Sequence, residues 1–184
     1  MGCDIHGVFQ RSSGAAWEDI ESNYEQDRHY QLFAVLAGVR NGHGFAGVPT
    51  GAVITPISDP RGIPSDFVLK IWMGDHSHSW LSGEEMVAWW EFAPVVCKTG
   101  ILERATYEQW DGKSRPAEYC GGASGPRIKV INDNVVEKDE TPDWTHIRCH
   151  WESSLRKELD YFFDEVARLA NKHGRIRFVF GFDS

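Results

Sequence analysis

Four side chains able to carry protons stand in two short tracts: Asp4 and His6 in Cys3-Asp4-Ile5-His6, and His76 and His78 in Gly74-Asp75-His76-Ser77-His78-Ser79-Trp80. Imidazole titrates near pH ~6.5, so a pair of histidines can supply one acid and one base at working pH. Side chains two apart in extended chain share a face. Asp4 and His6 therefore point together, and so should His76 and His78. The expectation is that both pairs converge on one reacting group, as catalytic residues. The same donors, with Asp75, suit zinc or another divalent ion. The His-x-His spacing lacks the following Asp-His that makes a metallohydrolase signal strong. No cofactor is assigned, and a divalent metal at Asp4, His6, His76 and His78 stays as an alternative. A surface loop that merely holds two histidines is the plainer alternative. Cys3 neighbours the pair, but adjacent strand residues face opposite ways, which favours a buried thiol over a nucleophile.

Groups that could hold a substrate lie around these tracts. Arg40 and Asn41 open the run Arg40-Asn41-Gly42-His43-Gly44-Phe45-Ala46-Gly47, and Arg61 sits in Pro60-Arg61-Gly62. A helix C-terminus favours cations, so positive charge for a phosphate or carboxylate must come from Arg40 and Arg61, each able to fork two hydrogen bonds. Asp75, Ser79 and Trp80 flank the histidines. Tyr119-Cys120-Gly121-Gly122-Ala123-Ser124-Gly125 offers a stacking ring, and its Gly121, Gly122 and Ser124 amides could make an anion nest. Glycines serving only as turns are the plainer reading of each loop. The chain has neither the Gly-Lys-Ser/Thr ending of a Walker loop nor a Gly-x-Gly-x-x-Gly turn after a strand.

The elements that must position these residues follow from periodicity. Ile5 to Gln10 reads as a strand and Ala16 to Ile20 as its hairpin partner. Tyr30, Phe33, Leu36 and Ala37 form a helical stripe within Asp27 to Val39, with Asn41-Gly42 as its stop. Gly42 to Pro64, rich in glycine and proline, reads as a long functional loop. Ser82 and Glu85 make a capping box for a short helix ending before Pro94. Lys113 to Pro126 is loop, and Arg127 to Asn132 and Trp144 to His150 alternate like strands. The clearest helix, Ser153 to Lys172, carries Leu155, Leu159, Phe162, Phe163, Val166, Leu169 and Ala170 on one face. Arg175 to Phe182 is the last strand. The predicted fold is α+β: residues 1–184 as a single domain, a mixed, mostly antiparallel sheet packed by the long C-terminal helix and shorter helices. The first and last strands should lie near the sheet centre, bringing Asp4, His6 and Asp183 to one end.

Bulk properties bound the function. With 184 residues, 41% hydrophobic and 25% charged, the chain can bury a core and is not of disordered composition. A formal charge of −8 argues against wrapping duplex nucleic acid, which needs a basic face. A small anionic nucleotide ligand remains compatible, because local arginines can dominate one pocket. Four scattered cysteines without a Cys-x-x-Cys pair suit a reducing compartment. No apolar run reaches the ~20 residues of a membrane span, and no signal peptide is visible. These features predict a cytoplasmic protein without a membrane partner; homo-oligomerisation is left open.

Several of these motifs together resemble a family of phage and prophage proteins. They are Cys3-Asp4-Ile5-His6, the Tyr30–Gly47 run with its Val39-Arg40-Asn41-Gly42 centre, Pro60-Arg61-Gly62, Asp75-His76-Ser77-His78-Ser79, Tyr119-Cys120-Gly121-Gly122, and the closing Phe178-Val179-Phe180 with Phe182-Asp183. The likeness spans nearly the whole chain. Gly181 departs from it, since a bulky aromatic is expected there. The resemblance implies a phage protein acting in the cytoplasm of the infected bacterial host. Joined to the residue chemistry, that context suggests counter-defence: binding and cleaving a cyclic oligonucleotide immune signal, with His76 and His78 as the acid–base pair. A non-catalytic nucleotide sponge and a metal-dependent hydrolase are the alternatives.

Overall fold

A computed structural model describes residues 2–42, 52–133 and 135–184, with backbone alone for residues 135–137. In chain order the elements are β1 (Ile5–Ser12), β2 (Trp17–Ile20), α1 (Tyr30–Ala37), β3 (His76–Ser82), α2 (Gly83–Glu91), β4 (Val95–Glu103), α3 (Arg104–Gln109), β5 (Val130–Asn132), α4 (Val135–Glu140), β6 (His146–Ser154), α5 (Leu155–Glu158), α6 (Asp160–His173) and β7 (Ile176–Phe182). The fold is α+β. Two sheets replace the single one expected: β2-β1-β7-β3, antiparallel throughout, and β4-β6-β5, in which β5 runs parallel to β6. The first and last strands do lie at the centre of the larger sheet.

The strand β7 reads Ile-Arg-Phe-Val-Phe-Gly-Phe, and alternation sends Ile176, Phe178, Phe180 and Phe182 to one face. That face is the main core. Phe182 meets Phe33 of α1 at 5.0 Å, and Phe178 meets Phe162 of α6 at 5.6 Å. The α1 helix is so apolar that Leu32 through Leu36 are all fully buried, as expected of a helix surrounded by core. Trp89 and Trp90 of α2 stack on Phe163 of α6 and close the layer.

The opposite face of β7 is covered as well, although no helix among the described residues lies there. Arg177, Val179 and Gly181 are buried beside their core-facing neighbours. Residues 60–75 run across this outer face as an irregular strap. Gly62 N–H donates to the His78 carbonyl at 2.8 Å, Asp66 accepts from Arg177 at 2.8 Å, and Lys70 reaches Asp19 at 2.8 Å. Met73 is buried, and Asp75 N–H donates to the Phe182 carbonyl at 2.6 Å.

Several boundaries differ from the sequence reading for identifiable reasons. The α1 helix starts at Tyr30, not Asp27, because the His29 ring caps it: Leu32 N–H donates to Nδ1 at 3.3 Å. It stops at Gly38, which takes the left-handed conformation (φ 70°), before Asn41-Gly42 is reached. The capping box at Ser82 and Glu85 forms as read. The long C-terminal helix is broken at Leu159 into α5 and α6, and Ser153 belongs to β6. The strand β4 and the helices α3 and α4 were not anticipated.

Candidate functional site

The site is built at the end of the larger sheet, on its outer face. His6 of β1 is paired across the sheet with Gly181 of β7, so their side-chain directions agree. A Cβ on Gly181 would fall 2.6 Å from Cδ2 of His78, which puts the His78 ring over the same spot. The bulky residue expected at 181 has no room, because that Cβ would also lie 2.1 Å from the Met73 carbonyl oxygen.

His76 does not join them. Between His76, paired with Phe182, and Ser79, paired with Phe180, β3 spends three steps where β7 spends two. The extra residue is a β-bulge at Ser77, a non-glycine residue at φ 51°. Strict alternation is broken there, so His76 and His78 take opposite faces, contrary to the expectation that they share one. The His76 ring stacks on Phe182 at 6.1 Å, and its Nδ1 pairs with the Ser77 hydroxyl at 3.0 Å.

Asp183 orients His6. One carboxylate oxygen accepts from the Asp4 backbone N–H at 2.8 Å, and the other meets His6 Nε2 at 3.1 Å. Those contacts, the Asp4 amide first and His6 second, hold the Asp183 carboxyl below its ordinary range. A carboxylate only accepts, so Nε2 of His6 carries the proton and Nδ1 holds the lone pair. His78 is set alike: its Nε2 sits 3.1 Å from the Gly74 carbonyl oxygen, which fixes the proton on Nε2. Both rings thus carry a basic Nδ1 when neutral.

Asp4 points away from proton chemistry toward a cation. Arg28 grips its carboxylate with two hydrogen bonds, 2.8 and 2.7 Å, which lower the Asp4 pKa. Trp72 stands beside His6, with ring centroids 4.6 Å apart. Cys3 is fully buried and its thiol pKa is raised by desolvation, matching the buried-cysteine reading.

The remaining candidates divide. Arg40, at φ 58°, donates to the Gly2 carbonyl at 3.4 Å and lies over Tyr30, at the same strand end as Asp4. Asn41 spends its amide on the backbone of Ile54, donating at 2.6 Å and accepting at 2.9 Å, and so ties a loop down. Arg61 is forked onto Glu85 at 3.1 and 2.5 Å and covers Trp80, while its backbone N–H donates to the buried Ser79 hydroxyl. Its charge is already matched: Arg61 draws the Glu85 pKa down to about 2. Asp75 is exposed at the strand mouth. Tyr119, Gly121, Gly122 and Ser124 lie in the loop beside the smaller sheet, where Tyr119 packs on Trp151 at 5.0 Å and Cys120 makes an isolated bridge to Ile101. They do not build the His6 site. His43 through Gly47 lie outside the described residues.

The arrangement suits proton transfer better than metal binding. Asp4 is committed to Arg28 and His76 faces the core, so the four proposed metal donors are not gathered. Among the described residues no three His, Cys, Asp or Glu side chains are grouped as a metal ion requires. Likewise, no helix among them is long and apolar enough to cross a membrane.

The sequence reading missed Trp72 and Arg28 and gave Asp183 too small a part. Asp183 was accessible: with β1 and β7 antiparallel, a carboxylate two residues beyond Gly181 must reach Asp4. Trp72 had only a weak signal, an aromatic two residues before Gly74 in a stretch without period. No family model, curated protein or solved structure matches the chain.

Proposed function

We propose that the chain binds a small cyclic oligonucleotide at this sheet end and cleaves a phosphodiester bond in it without a metal. The acid–base pair is His6 and His78, not His76 and His78. One neutral imidazole takes the proton of a ribose 2′-hydroxyl through Nδ1. The 2′-oxygen attacks phosphorus, and the other ring, protonated at Nδ1, gives its proton to the departing oxygen as the P–O bond breaks. Asp183 holds the His6 ring and stabilises its cationic form, much as a carboxylate steadies imidazolium in other acid–base sites. Arg28 and Arg40 lie at this end of the sheet; Arg40 opposes the charge growing on the phosphoryl oxygens, and Arg28 joins it when its fork on Asp4 is exchanged for those oxygens. The observation that carries the reading is the meeting of His6, Asp183 and His78 around Gly181. The phage resemblance supplies the biological setting, counter-defence in the infected cell's cytoplasm.

The test is incubation of purified protein with a panel of cyclic di- and trinucleotides, resolved by chromatography. His6→Ala and His78→Ala should each slow cleavage by about 10²–10⁴-fold, while His76→Ala retains most activity. If no member of the panel is consumed, with or without divalent metal, the catalytic reading fails. Tight binding with the ligand recovered intact would instead make the protein a sponge.

A further inference from the structure

Trp72 has no part in the proton chemistry, and its position asks for another explanation. Its side chain lies against His6, yet the residue is 58% exposed, whereas the next residue, Met73, is 2% exposed. Val68, Leu69 and Ile71 of the same strap are exposed too, but among these four Trp72 alone carries an aromatic face, and it is set against the polar centre, where a ring can serve as a stacking surface. Trp72 is also firmly held. Upstream, the strap is pinned by Asp66 to Arg177 and by Lys70 to Asp19. Downstream, Gly74 (φ 81°) lies so close to β7 that a Cβ there would fall 2.3 Å from the Phe182 carbonyl oxygen. The indole therefore meets a ligand already in place.

We infer that Trp72 is the base-stacking platform of the site, which makes its ligand a nucleobase-bearing phosphate, not a sugar phosphate. This rests on the reading of the His6–His78 centre as a phosphoryl site. The indole lies 4.6 Å from the His6 ring, so a ligand whose phosphate meets His6 can lay its heterocycle on the open indole face. Stacking on an aromatic side chain is tolerant of base identity, so adenine and guanine ligands are both accepted.

Calorimetric titration with adenosine 5′-monophosphate, guanosine 5′-monophosphate and ribose 5-phosphate tests this. The wild-type chain should bind both nucleotides on the order of tenfold or more tighter than ribose 5-phosphate. Trp72→Phe keeps most of that advantage. Trp72→Leu, which preserves an apolar cover over His6 without a π face, abolishes it and leaves ribose 5-phosphate binding unchanged. Because the side chain is exposed, both variants should melt with the wild type. A wild-type chain that binds none of these probes or does not discriminate among them, a Trp72→Leu variant that still discriminates, or an equal loss for all ligands overturns the inference. Failure of the cleavage reading is separable. Base-selective binding through Trp72 with no turnover sinks catalysis alone, and wild-type cleavage by Trp72→Leu sinks the platform alone.

Discussion

Two acid–base contacts in this molecule span the same 3.1 Å and sit in opposite surroundings. His6 and Asp183, at the end of the larger sheet, are 27% and 25% exposed. Lys98 of β4 and Glu158 of α5 are 9% and 13% exposed, between the smaller sheet and the helical layer. The first pair is open enough for a substrate to compete for it. The second is sealed among Ser153, which donates to Glu158, and the His29 cap of α1. Burial weakens the charged form of Lys98, while the Ser153 hydroxyl and Lys98 outweigh burial at Glu158. Equal distance thus says little about role; the surrounding water decides whether a charge is available for chemistry or is spent on holding elements together.

The largest effect should come from breaking the sealed pair. Glu158→Gln strands a buried ammonium and should cost about 3–5 kcal/mol. In a chain of this size that lowers the melting temperature by roughly 10 °C. Replacing both partners, Lys98→Met with Glu158→Leu, should recover most of the loss. Asp183→Asn at the open pair should leave the melting temperature nearly unchanged while slowing turnover. Similar melting temperatures for Glu158→Gln and Asp183→Asn would erase the contrast.

Gly181→Ala should have an intermediate effect. Its new methyl meets the Met73 carbonyl, so the strap must lift, at a cost of roughly 1–3 kcal/mol. Chemical denaturation measures the loss. Faster hydrogen exchange at residues 72–75, with no change around Glu158, would place it at the open end.

The smallest effect separates the regions by pH. His29 caps α1 only as neutral imidazole, and burial, with Lys98 next in weight, lowers its pKa. Glu158 and Asp27 act the other way, and Tyr161 packs against the ring. A depressed folded pKa gives stability that is present above the unfolded value of 6.5 and lost as pH falls below it. The loss should be on the order of 1 kcal/mol, the worth of a cap. His29→Asn, which caps without titrating, should remove this pH dependence. The Asp4 and Asp183 carboxyls, held below their ordinary range, respond only at lower pH.

What the sequence revealed follows the regularity of each segment. β7 and the α5–α6 tract were readable because their phenylalanines and leucines recur at two and at three to four residues. Placing β1 and β7 together then brought Asp4, His6 and Asp183 to one end before any coordinates. β4 was hidden because Lys98 and Gly100 occupy its inward positions where a strand normally shows apolar bulk. Trp151 supplies that bulk from the neighbouring strand, lying across Gly100. The charge partners were illegible for another reason. Arg28 choosing Asp4, and Glu85 choosing Arg61, depend on loop paths that no local period encodes.

The bulge at Ser77 has a consequence for how such a chain can change. Two identical rings, two residues apart and both half-buried, are assigned to opposite faces of the sheet by counting alone, not by their own chemistry. Removing Ser77 would re-thread the tract and reassign the histidines without altering either one. A one-codon deletion or insertion in this tract would therefore displace the His78 ring as surely as a substitution removes it.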